Sequence, residues 1–171
     1  MNKLTSYVIV LLIASLLMGC LPSPVGGFSI HLLADEMPAT ELSVVDLADL
    51  ELQDEPLLSG DDIVAYSRGT HEIELTPEAY EKVQQLFTLP AKVRGIPFVV
   101  SVDADRIYAG GFWTPVSSLS FDGVVICQPF DRDRNVISIV LGYPSPEAFT
   151  GEDPRSDPRV LESLAAAGKL R

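Results

Sequence analysis

The sequence predicts an α+β domain: a small, mostly antiparallel sheet with one packed amphipathic helix and a second helix at the C-terminal end. Three observations carry that expectation. "HEIELTPEAYEKVQQLF" passes from strand-like alternation directly into a capped helix. Several short runs rich in Val, Ile and aromatic residues are separated by polar turns. "DPRVLESLAAAG" carries both a start and a stop signal for a helix.

Taken in order, "FSIHLLA", Phe28 to Ala34, alternates loosely and predicts a strand. Acidic residues from Asp35 to Glu55 then interleave with Leu42, Val44, Leu47, Leu50 and Leu52, a pattern read as extended in part. Ser59 followed by Asp62 has the spacing of a capping box and predicts a short helical turn. His71 to Leu75 alternates as a strand, after which Thr76 is a good N-cap and Pro77 suits the first helical position. Glu78 complements the helix dipole, and Tyr80, Val83 and Phe87 share one helical face. Phe98 to Val102 predicts a covered central strand that turns through Asp103, Ala104 and Asp105 into a strand over Arg106 to Ala109. Further strands are expected at Gly123 to Cys127 and Val136 to Leu141, with "DRDRN" as the polar turn between them. After Pro144 the chain is rich in Pro and charge until Asp157 caps a last helix, with Pro158 at its first position and Gly168 as its terminator. The doubled "DPR" at 153–155 and 157–159 is too short to count as a structural repeat.

Upstream of this domain, Met1 to Gly19 has the three parts of an export signal: a basic start with Lys3, an apolar stretch from Tyr7 to Met18, and a small residue before the break. Leu17, Met18, Gly19 and Cys20 resemble the lipobox of bacterial lipoprotein signal peptides, although Met18 is larger than the usual residue there. The resemblance implies that Leu17 and Gly19 are read by the signal peptidase, that the Cys20 sulfur takes a diacylglyceryl group, and that cleavage precedes Cys20. Two or more acyl chains hold a soluble domain at a membrane where one does not. An uncleaved spanning helix and plain secretion are the alternatives, and the apolar run is short for the first of them. "LPSPVGG" after Cys20 reads as a tether, since its prolines oppose a helix and its glycines weaken a strand. The expected organisation is a signal peptide over 1–19, a tether over 20–27, the α+β domain over 28–150, and a polar linker with the C-terminal helix over 151–171.

Composition narrows the partners. Of 12 basic and 24 acidic residues the leader holds only Lys3, so the remaining 152 residues carry 11 basic and 24 acidic side chains, net −13. Such a surface repels phosphate backbones and anionic headgroups, which argues against nucleic acid and against a basic membrane patch. A chain of this length can bury one core without metal or disulfides. Its two cysteines, Cys20 and Cys127, sit in unlike settings, and pairing them would consume the residue the leader prepares.

The order "EPLLSGDDI", "IELTPEAYEKVQQL", "GIPFVVSVDADRIYAGGFWTPVSS" resembles the head of the large extracytoplasmic domain of the protein-export membrane protein SecD, over about half of the mature chain. The resemblance implies a helix packed on an antiparallel sheet. It carries over no translocation chemistry, because the intramembrane acidic residues of that family have no counterpart here. After Cys20 no stretch of the sequence is long and apolar enough to span a bilayer.

Candidate chemistry is sparse. Cys127 lies among Val124, Val125 and Ile126, a setting for a packed thiol rather than a nucleophile. His31 and His71 belong to no zinc or hydrolase motif. "DRDRN" begins like a calcium loop, but Val136 replaces the glycine and Gly142 the bidentate glutamate. "YAGGFWTPVSS" offers Phe112 and Trp113 as aromatics that a loop presents to a partner; the other reading has Trp113 plugging the open edge of the sheet. The expectation is an exported, lipid-anchored lipoprotein on the extracytoplasmic face of the cell membrane. It binds another envelope protein, with no cofactor and no metal. An extracytoplasmic hydrolase using Cys127 or a histidine, and an accessory factor of the export machinery, are the alternatives.

Overall fold

A computed structural model describes residues 27–131 and 134–171. The lipobox residues Leu17, Gly19 and Cys20, and Arg132 and Asp133 of the polar turn, lie outside the described residues. Eight strands are present: β1 (Phe28–Leu32), β2 (Leu58–Ser59), β3 (Ile63–Ser67), β4 (Glu72–Leu75), β5 (Ile96–Val102), β6 (Asp105–Trp113), β7 (Phe121–Cys127) and β8 (Val136–Tyr143). Two α-helices are described, α1 (Pro77–Gln85) and α2 (Pro158–Ala166), together with short 3-10 turns.

The strands form one sheet in the order β2-β1-β5-β6-β7-β8-β4-β3. Every pairing between these eight strands is antiparallel except β6 with β7, which run parallel with Trp113 opposite Cys127. The α+β class and the mostly antiparallel sheet are as the sequence predicts. The sheet is not small. Two strands absent from the prediction, β2 and β3, flank the Ser59 turn, and β6, β7 and β8 each run beyond the expected ends. The sequence signal for β2 and β3 is weak because "LLSGDDIVAY" spends its middle on a 3-10 turn.

Topology forces the sheet to curl. β2 and β3 lie at opposite edges yet are joined only by Gly60–Asp62. Eight strands laid flat would be roughly 34 Å across, whereas the four steps from Ser59 to Ile63 reach at most about 14 Å. Consistent with this, Phe28 and Ile30 of β1 share a single apolar cluster with Tyr66 of β3 and Ile73 of β4. Both helices pack into it, α1 through Ala79, Tyr80 and Val83, and α2 through Val160, Leu161 and Leu164. The segment after 150 thus packs with the sheet. The opposite face of β1 and β5 is covered by the segment between Met37 and Leu52, where Leu33 and Val99 meet Leu50.

Local chemistry explains the ends of the elements. Thr76 accepts a hydrogen bond from Ala79 N, with Pro77 at the first helical position, and the Ser59 and Asp62 capping box is formed. Both "DPR" tripeptides adopt one device. In each, the Asp carboxylate accepts from the backbone N–H of the Arg two residues on, at 3.0 Å for Asp153 and 2.9 Å for Asp157, and the Arg guanidinium grips the same carboxylate through Nε and Nη2. The first opens the 3-10 turn Pro154–Ser156 and the second opens α2.

The β3 edge of the sheet is sealed by the C-terminal residues. β1 is flanked by β2 and by Gln53, whose N–H donates to Leu32 O. Along β3, Tyr66 N donates to Lys169 O and Arg171 N donates to Tyr66 O, so the last residues act as an added parallel strand.

Candidate partner-binding cleft and crown

β1 and β5 pair from Phe28 opposite Val102 to Leu32 opposite Phe98, then part company. They rejoin indirectly where Ala39 N donates to Gly95 O and Thr40 N to Arg94 O. Between these two closures the chains bow apart around a cleft of about 470 Å³. Its floor is Leu32, Leu33, Met37, Val93, Ile96 and Pro97; one bank carries Asp35 and Glu36, the other Lys92 and Arg94. Pro97 has no N–H, and it sits where β5 lacks a partner on this side, so the gap strands no donor there.

Gly95 fixes the upper closure. Its φ of +75° is left-handed, and a Cβ there would lie 2.5 Å from the Trp113 ring and 2.9 Å from the Ala39 Cβ. Beside the cleft rises a crown of exposed apolar residues on two loops. Leu89 is 89% and Val116 70% exposed, and Val93 and Leu119 are exposed as well. Ser117 ties the loops together by donating its hydroxyl to Val93 O at 2.6 Å. Residues 88–97 and 114–120 contain two cations and no carboxylate, in a chain whose net charge is −12. Arg94 is paired with Glu41 at 2.9 Å. Contiguous apolar patches exposed on a monomer are candidate interaction surfaces.

The crown lies at the end of β5 opposite to Gly27. Gly27 N donates to Asp103 Oδ1 at 2.7 Å, just past the far end of the strand, while the crown loops adjoin its start at Ile96. A seven-residue strand, about 20 Å long, separates them.

Phe112 and Trp113 are not on a loop. They form the last two residues of β6, the fourth strand of the sheet, and are 1% and 0% exposed. Display of these rings to a partner is corrected to burial, and Trp113 does not plug an edge. It stacks on Phe121 with Tyr143 beside it, directly beneath Gly95 and Ala39. Gly110 and Gly111 are strand residues here: Gly110 is packed against the Phe98 ring, where a Cβ would lie 2.5 Å from that ring. The apolar periodicity of 106–109 continues through them once they are read as small residues under large neighbours.

The residues that the hydrolase alternative would use have separate partners. Cys127 ends β7 half-buried, and burial raises its thiol pKa. His71 is buried against Tyr66. His31 donates from Nδ1 to Gln53 O, which leaves Nε2 to accept from the Ser29 hydroxyl at 3.2 Å. That is the tautomer a serine hydrolase uses, but Ser29 is 1% exposed within the sheet, beyond the reach of a substrate. Among the described residues no cluster of His, Cys, Asp or Glu is arranged to hold a metal, and no helix is long and apolar enough to cross a membrane.

No family model, curated protein or solved structure gives a significant match to this chain. The site therefore stands on its own geometry. Sequence reasoning missed the cleft and crown. The available signal was "LPAKVRGIP", in which apolar residues alternate with the only cations of the neighbourhood.

Proposed function

We propose that the protein is an exported lipoprotein, held at the extracytoplasmic face of the cell membrane by a lipid on Cys20, whose α+β domain binds another envelope protein. The observation that carries this reading is the placement of the crown and cleft at the end of the domain away from Gly27. From Cys20 to Gly27 the tether reaches at most about 25 Å, little more than β5 alone. A domain tethered there turns Leu89, Val93 and Val116 away from the bilayer and towards whatever stands above it. The SecD-like order of Glu55 to Ser118 favours one class of neighbour, a component of the export machinery, as the second reading.

Site-specific photocrosslinking in cells tests it. Probes at Leu89 and Val116 are expected to capture the same envelope protein, a probe at Asp103 is not, and Val93→Asp should abolish capture. Equal capture from all three positions would overturn the assignment of the surface. Cys20→Ser should release the chain from membranes; a serine variant that remains membrane-bound and acylated would overturn the anchor.

A further inference from the structure

We propose that the cleft between 33–38 and 92–97 takes an extended segment of the partner protein in which an acidic and a basic residue flank two or three apolar ones. This rests on the reading of the surface as the partner site and names the chemistry that enters it. Among the described residues, five cations are committed to ion pairs and Arg106 to the carbonyls of Leu47 and Ala48. Four others, Arg68, Lys92, Arg134 and Lys169, are in no ion pair or side-chain hydrogen bond, and of these Lys92 alone lines the cleft. Asp35 and Glu36 line the same cleft without closing on it. The bowed chains hold the two charges on opposite banks of an apolar floor, which is the complement of a bipolar apolar segment.

The occupant is a peptide segment rather than a small zwitterion because Val93 belongs to both cleft and crown. A chain seated in the cleft continues over Val93 towards Leu89 and Val116, which a small molecule would leave in water. Recognition runs through side chains: Pro97 offers no N–H, and Arg94 O and Gly95 O are already taken by Thr40 and Ala39. The apolar floor supplies affinity. The exposed banks contribute little energy each and set selectivity, on the order of fivefold for the pair.

The test uses the full chain in detergent micelles and three blocked peptides read by NMR shifts of the Lys92 and Val93 amides. One has the order glutamate, leucine, valine, leucine, lysine; the others carry glutamate at both ends or lysine at both ends. The bipolar peptide should bind about fivefold tighter than either analogue. Lys92→Glu should shift preference to the lysine-ended peptide, and the paired change Asp35→Lys with Glu36→Lys to the glutamate-ended one. An unchanged order of preference across the three proteins, or no binding of any peptide, overturns the proposal. Because the assay needs neither membrane nor partner, its failure alongside persistent crosslinking from Leu89 would remove the cleft chemistry alone. Selective peptide binding without capture in cells would remove the functional reading instead.

Discussion

Tyr66 and His71 meet inside the domain, Oη to Nδ1, at 2.9 Å, with the rings edge to face. His71 holds a left-handed φ of 53° at the corner between β3 and β4, an uncommon conformation for a residue other than glycine. Arg155, clamped by Asp153, donates to Ile139 O close by, and the buried Tyr108 hydroxyl has no hydrogen-bond partner among the described residues. Burial pushes the Tyr66 phenol up to about 12, so both rings are neutral at neutral pH.

This corner makes stability depend on pH. Burial and then the Arg155 charge lower the His71 pKa below its ordinary 6.5, with Asp153 opposing. A lowered folded-state value means the unfolded chain binds more protons between that value and 6.5. The contribution is therefore complete above about 6.5 and drains away as the pH falls below it. Urea unfolding from pH 8 to 5 should show this loss, and His71→Asn, which tolerates the backbone angle and does not titrate, should flatten it. Parallel curves for the two proteins would contradict the assignment.

Trp113 is the keystone under the crown. Its ring lies 4.9 Å from Phe121 at 17° and 5.6 Å from Tyr143. Trp113→Ala should cost about 3–5 kcal/mol in denaturant unfolding. Trp113→Phe keeps a ring on Phe121 and removes the unpartnered indole N–H, so it should lose less. A loss below about 1 kcal/mol for the alanine variant would be at odds with a buried ring.

Cys127 should be a slow thiol. Its raised pKa, caused by burial, reduces the thiolate at any pH near neutrality. In the Cys20→Ser chain, a disulfide reagent at pH 8 should label Cys127 about tenfold more slowly in the native state than in denaturant. Native labelling at the denatured rate would reopen nucleophilic chemistry at the end of β7.

Removal of Lys169–Arg171 should expose the β3 edge. Tyr66 N and O and Arg68 N lose their partners, and the Arg171 to Glu74 ion pair goes with them. Exposed edges recruit other edges. Sedimentation should therefore show concentration-dependent self-association in the truncated chain and none in the intact one.

How much of this was legible follows from where each signal resides. α1 is written locally, in Thr76, Pro77 and the Tyr80 and Val83 stripe, and it starts where expected; it ends at Gln85, so Phe87, expected on the same helical face, lies beyond the helix. The β5 and β6 hairpin is likewise local to Asp103 and Asp105. The end of β6 was not, because Gly110 and Gly111 read as loop residues until Phe98, Ala39 and Phe121 are known to crowd them. β2 and β3 were illegible for a similar reason: their partners are β1 and β4, and two-residue β2 has no period to detect. The cleft arises from the absence of pairing between β1 and β5, which no property of either strand alone encodes.

The Gly60–Asp62 link has a kinetic consequence. β2 needs β1 and β3 needs β4, and β1 and β4 belong to opposite margins of the sheet. Both can be seated on one short link only after the intervening strands have assembled and bent. Such distant contacts are slow to form, since loop closure is paid before they return anything. Ring closure at this link is thus expected late in folding, and substitutions at Ser59 or Asp62 should accelerate unfolding more than they retard folding.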